Sequence, residues 1–231
     1  MKIIVSWSSG KDSAWMVHVL RANSGCEIGA LLTTINQDAG RVAMHAVRVG
    51  LVEEQAAALG LPLWQVPIPS PCSNEAYERA MGGAVQRAVS AGFTHIAFAD
   101  LFLEDIRRYR EERLHGSGLT PMFPLFGADT HALAREMIAC RLRARITCVD
   151  PRAIDRRFAG RDYDAGLLAE LPASADPCGE RGEFHTFAND GPMFRRPIPI
   201  ATGTTVERDG FVFTDLMLSE VCRAIPNASS V

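Results

Sequence analysis

Lys2-Ile3-Ile4-Val5-Ser6, then Trp7-Ser8-Ser9-Gly10-Lys11-Asp12-Ser13, then Ala14-Trp15-Met16-Val17-His18-Val19-Leu20 is the stretch that decides how this chain folds. A short β-branched run enters a polar turn. The turn enters a segment whose apolar residues Ala14, Trp15, Val17 and Leu20 share one helical face. Strand, turn and helix in that order open a parallel sheet, where ligands collect beyond the carboxyl ends of strands and helix N-termini present unpaired N–H groups. Gly10 lets the backbone approach a phosphate, Ser8, Ser9 and Ser13 add hydroxyl donors, and Lys11 supplies positive charge. Asp12 is suited to hold Mg2+ between phosphate oxygens. The turn is not a Walker A loop, because the spaced glycines are missing and an aspartate follows the lysine.

Outward from this unit, short β-rich segments alternate with helical patterns. Strands are expected at residues 27–34, 61–67, 93–99 and 144–149, and helices at 44–59, 74–91, 103–114 and 130–141, with Gly82-Gly83 a potential interruption. Gly60 reads as a helix C-cap, Ser73 or Asn74 as an N-cap, and residues 36–41 as a loop. The fold class is α/β, a parallel twisted sheet with helices on both faces plus a smaller C-terminal α/β region. We divide the chain into a nucleotide-binding unit at 1–122 and a substrate-binding region at 123–231. In the latter, 184–189 and 197–220 read as β-structure, and Arg208-Asp209-Gly210 as a hairpin turn. The exposed ribbons after Pro197 offer edges for a homodimer.

Apolar residues make up 47% of the 231 and charged residues 22%, a globular mixture that excludes disorder. A net charge of −3 gives no global field for nucleic acid or an anionic membrane. No apolar run is long enough to span a bilayer, and the N-terminus lacks a signal-peptide pattern, so the expected location is the cytoplasm. Six cysteines without C-x-x-C spacing read as separate thiols, with a zinc site or catalytic thiol pair as the alternative.

Ser8-Ser9-Gly10-Lys11-Asp12-Ser13 resembles the S-G-G-K-D-S PP-loop of the N-type ATP pyrophosphatases, with Ser9 in place of the first glycine. Residues 98–107 with Tyr109-Arg110-Glu111 resemble a G-D-[IL]-x-L-E-D-x-R-x-Y-R-E block, here with Ala99 for the glycine. Cys178-Gly179-Glu180-Arg181-Gly182-Glu183-Phe184-His185-Thr186-Phe187, with Asp190-Gly191-Pro192, resembles C-G-E-x-G-E-[FY]-H-T-F…D-G-P. Together these resemble the diphthine–ammonia ligase family. The resemblance implies an ATP-dependent, AMP- and diphosphate-forming amide ligase. A substrate carboxylate, in that family the diphthine side chain of elongation factor 2, is adenylated and then amidated by free ammonium.

The resemblance assigns the ATP phosphates to Ser8, Ser9, Gly10, Lys11 and Ser13, and the adenosine to Thr33, Thr34 and Asn36 at the end of the second strand. His45, in an R-x-x-M-H-like segment, joins them as a nucleotide neighbour or is a helix-surface histidine. Lys11, Asp12 and Asp100 are candidate catalytic groups. Glu180 and Glu183 are expected to face one cleft, deprotonating ammonium or binding a cationic group; the alternative is a solvated acidic loop. His185 is an acid/base or a core histidine between Phe184 and Phe187. Glu104, Asp105, Arg107 and Arg110 read mainly as helix ion pairs, and Trp7 and Trp15 as packing. Two other functions share the phosphate loop: tRNA modification, opposed by the acidic balance, and non-catalytic nucleotide binding.

Overall fold

The computed structural model describes residues 1–36, 40–42 and 47–219. The first of its two sheets holds β1 (Lys2–Ser6), β2 (Glu27–Asn36), β3 (Arg41–Val42), β4 (Leu63–Ile68), β5 (His95–Ala97) and β6 (Thr120–Met122). All pairings in it are parallel except that of β3 with β2. The second sheet is antiparallel and contains β7 (Arg143–Val149), β8 (Phe184–Asp190), β9 (Ile200–Arg208) and β10 (Phe211–Leu218), in the order β8-β7-β10-β9. The helices are α1 (Lys11–Ala22), α2 (Val49–Leu59), α3 (Asn74–Ser90), α4 (Glu104–Leu114), α5 (Thr130–Ala139) and α6 (Ala165–Glu170).

Alternation along β1 sorts the core. Ile3 and Val5 point to one face, where Trp15 of α1 and Leu51 and Leu59 of α2 pack. Ile4 points to the other, against Ala84 and Ala88 of α3 and Leu114 of α4. Helices therefore cover both faces, as an α/β sheet requires. The first cluster continues through Ile146 and Val149 of β7 and Phe187 of β8, so the second sheet shares a core with α1 and α2.

Local chemistry sets the element ends as expected at several places. Gly60 closes α2 with φ 68°, and the Ser73 hydroxyl caps α3 by accepting from the Ala76 N–H. Asp209 and Gly210, with φ of 54° and 80°, make the two-residue turn between β9 and β10, pairing Arg208 with Phe211.

Other expectations are corrected. The 144–149 stretch is not a further strand of the parallel sheet; as β7 it pairs antiparallel with β8 and β10. The strand beside β5 is instead β6, three residues that include Pro121. The segment read as a loop at 36–41 begins and ends in strand, since Asn36 pairs with Arg41. The second long helix is expected from residue 44; residues 43–46 lie outside the described residues, and the helix described begins at Val49, with the Val47 carbonyl before it accepting from the Val42 N–H at 2.8 Å. Gly82-Gly83 does not interrupt α3. His45, Cys222 and the 227–231 tail lie outside the described residues. Among those described, no helix is long and apolar enough to cross a membrane.

Candidate active site

A cavity of about 360 Å³ lies beyond the carboxyl ends of β1 and β5. One wall is the turn into α1, with Ser8, Gly10, Lys11, Asp12 and Ser13; another follows β5, with Phe98 and Asp100, and reaches Arg110 of α4. The 178–186 segment closes the third side with Glu180, His185 and Thr186. Three stretches far apart in sequence thus meet where an open α/β sheet binds its ligand.

The phosphate turn is braced from within and from the second sheet. The Ser8 and Ser13 hydroxyls lie 2.8 Å apart, and the Gly10 N–H donates to Ser8 Oγ at 3.3 Å. Thr186 Oγ1 accepts from the Lys11 N–H at 3.1 Å, and the Ala188 N–H donates to the Ser9 carbonyl at 2.9 Å. Gln55 of α2, fully buried, completes the clasp. Its Nε2 donates to the Ser9 and Ala188 carbonyls at 2.9 and 2.6 Å, while its Oε1 accepts from Trp7 Nε1 at 3.0 Å. The turn is consequently rigid before any ligand arrives.

Lys11 is 1% exposed, and its Nζ donates to Asp12 Oδ2 at 2.9 Å, to Asp12 Oδ1 at 3.0 Å and to the Cys178 carbonyl. The rings of Tyr163 and Phe184 stand 5.3 and 5.5 Å from it. Burial, the largest single influence, works to lower its pKa, but the acidic groups around it, Asp12 first among them, together outweigh burial, and the net shift is upward. The lysine therefore stays charged. Arg110 forms a second ion pair, its Nε 2.7 Å from Asp100 Oδ2, with the guanidinium 4.2 Å from the Phe98 ring centre.

Glu180 and His185 carry large opposite shifts. Burial, with the Asp12 and Asp100 charges adding to it, pushes the Glu180 carboxyl up to about 7, although its Oε1 accepts from the Leu101 N–H at 2.7 Å. Burial also pulls the His185 imidazole down to about 4, Lys11 acting in the same direction, so the ring is neutral at pH 7. A carboxyl that titrates near neutrality beside a fixed cation can take up a proton in the working pH range.

Several expected site residues are not on the cavity wall. Both Glu183 oxygens are engaged by backbone, accepting from the Asp176 N–H at 2.7 Å and the Arg181 N–H at 3.0 Å. Glu183 is a buried brace for the loop that carries Glu180, so the two carboxylates do not face one cleft. Ser9 has φ 71°, is fully buried, and its hydroxyl has no hydrogen-bond partner among the described residues. Its side chain turns away from the cavity while its backbone shapes the turn. Thr33, Thr34 and Asn36 end β2 but do not wall this cavity. Burial pushes the Cys178 thiol up to about 12 and that of Cys148 up to about 11. Both remain neutral thiols, and among the described residues no three His, Cys, Asp or Glu gather as a ready metal site.

Residues 1–117 match the family model described as diphthamide synthase N-terminal domain, and residues 129–216 the one described as diphthamide synthase C-terminal domain. A curated relative, diphthine–ammonia ligase from Homo sapiens, is 29% identical over 139 residues. The match covers 54% of this chain and 52% of that protein, so the chain spans about half the length of the curated relative.

Proposed function

Because the chain belongs to the diphthamide synthase family, we propose that it is an ATP-dependent ligase that adenylates a substrate carboxylate and amidates it with ammonia. What carries this reading is the meeting, in one cavity, of a pre-braced serine-rich turn at a helix N-terminus with Glu180, a carboxyl that titrates at about 7. The first suits a polyphosphate and the second a proton acceptor.

In the proposed reaction an acceptor carboxylate oxygen attacks the α-phosphorus of ATP. The bond to the bridging oxygen breaks, and pyrophosphate leaves from an acyl-adenylate. Ammonia then attacks the acyl carbon, AMP departs with the electron pair of the C–O bond, and Glu180 takes the proton lost by the nitrogen. The N–H groups at the start of α1, the Ser8 and Ser13 hydroxyls and Lys11 would receive the charge that develops on the phosphates. Neutral His185 would add a hydrogen-bonding wall without adding charge.

The charge balance of the cavity supports a divalent ion accompanying ATP. Lys11 is offset by Asp12 and Arg110 by Asp100, leaving Glu180 and no surplus cation to meet a tetra-anion. Mg2+ is held by one or two carboxylates plus phosphate oxygens. Asp12, on the cavity wall at the start of α1, is the carboxylate that would hold it together with the phosphate oxygens. The ion would supply charge neutralisation at the phosphates.

Diphthine is the acceptor to test first, since it is the one named for the human relative. Incubation of the protein with α-labelled ATP, ammonium and a diphthine-bearing protein should release labelled AMP and pyrophosphate only when both co-substrates are present. Formation of ADP would reject the reaction. AMP release that depends on tRNA rather than on a carboxylate would move the chain to the tRNA-modifying branch.

A further inference from the structure

A second cavity, of about 490 Å³, lies between α3 and α4 on the opposite side of β5. Tyr77, Met81 and Tyr109 give it an aromatic and apolar character, and Phe98 and Arg110 line both it and the phosphate-loop cavity. Gly82 of α3 also lines it, and a Cβ built there meets nothing within 4 Å. Helix interiors disfavour glycine. No close contact requires one at this position, and a side chain there would project into the groove. Arg110 stands at the junction. Asp100 takes one of its five N–H donors, Nη2 donating to Oδ1 at 3.1 Å, and Nε stands 2.7 Å from Oδ2 as an ion pair. The guanidinium thus keeps further N–H donors where the two cavities meet, and a guanidinium so placed can receive a second carboxylate beside Asp100.

We propose that the groove between α3 and α4 is the acceptor site, taking a carboxylate carried on an apolar or aromatic body and delivering it past Phe98 to Arg110. The proposal rests on the phosphate-loop cavity being the nucleotide site. The apolar body lies against Tyr77, Met81 and Tyr109, and the head group enters the cavity in which the α-phosphorus would be exposed. Arg110 is then a substrate-binding residue as well as the partner of Asp100.

The test is a titration of isotope-labelled protein followed by nuclear magnetic resonance, with 3-phenylpropionate as probe and 3-phenylpropanamide as its uncharged control. The acid should shift the Arg110 Nε–H and the Gly82 and Gly116 amides, and the amide should bind about tenfold more weakly or worse, as loss of a charge-assisted contact requires. Gly82→Leu should abolish the shifts, whereas Gly82→Ala, a single methyl, should keep them and show that the helix is sound. Acetyl-Gly-Gly-Phe offers the same head group on a chain. Tighter binding of the peptide assigns an acceptor carried on a polypeptide, and tighter binding of the free acid a small molecule. Probe binding that ignores Gly82→Leu, or shifts confined to the Ser8 and Gly10 amides, overturns the proposal. α,β-Methylene-ATP is titrated in parallel. Nucleotide shifts at Gly10 without probe shifts in the groove sink the groove alone. Probe shifts without nucleotide shifts sink the phosphate-loop reading, and the acceptor role with it.

Discussion

Replacing Ser9 with glycine should make this protein more stable. Ser9 adopts φ 71°, where a residue with a Cβ is strained by about 1–2 kcal/mol. Its hydroxyl is buried without a partner among the described residues, a further cost of about 1–3 kcal/mol. Against these, glycine costs roughly 0.5–1 kcal/mol in unfolded-chain entropy, and loss of the buried methylene about 1 kcal/mol. The balance favours Ser9→Gly by roughly 0–3.5 kcal/mol, with its middle near 2. At about 2–4 °C per kcal/mol for a chain of this size, a gain of a few degrees in Tm follows. Ser9→Ala separates the two causes, because it removes the hydroxyl and keeps the strained backbone; it should exceed wild type by about 1–3 kcal/mol, on a level with Ser9→Gly. Urea denaturation and calorimetry of the three proteins measure this directly. A Ser9→Gly protein less stable than wild type by 1 kcal/mol or more would refute the reasoning, since it would mean that the hydroxyl is doing bonding work in the fold.

Lys11→Ala should reduce AMP formation below detection and also destabilise the protein by about 3–5 kcal/mol, because Asp12 is left without its buried partner; assays at low temperature separate the two effects. Turnover should rise with pH through about 7 as Glu180 ionises, and Glu180→Gln should remove that limb, with a loss of about 10²-fold or more. Stability has the opposite sign. The folded value of about 7 exceeds the ordinary 4.5, so folding takes up a proton between them. The contribution of Glu180 is full below 4.5 and is lost as pH rises through 7, so Glu180→Gln should be more stable than wild type at pH 8 and equal to it at pH 4. Gln55→Leu strips Trp7 Nε1 and the Ala188 carbonyl of a buried partner and should cost about 2–4 kcal/mol, read as a lower urea midpoint.

What was legible in the sequence follows the range of the interactions involved. The β1–turn–α1 unit, the Gly60 and Ser73 caps and the Asp209-Gly210 turn depend on neighbours within a few residues. All are readable from local pattern. β6 was not, because three residues with a proline carry no strand signal and are held in place by β5. β7 has the composition of a parallel-sheet strand, and only its partners, some 40 and 65 residues further on, make it antiparallel. In the site, glutamates three apart look alike, yet Glu183 faces backbone N–H groups and Glu180 the cavity. Gln55, Thr186 and Tyr163, which hold the turn and surround Lys11, reach it from sequence distances of 46 to 175 residues. A buried glutamine among the apolar positions of α2 is the one signal that could have pointed to the clasp.

A crystal structure of the protein with α,β-methylene-ATP and Mg2+ would show where the nucleotide sits. The outer phosphates should lie on Ser8, Gly10 and Ser13 at the start of α1, with the α-phosphorus open toward Glu180 and Arg110. A nucleotide seated elsewhere with that turn unoccupied, or an α-phosphorus facing away from Glu180, would contradict the phosphate-loop reading.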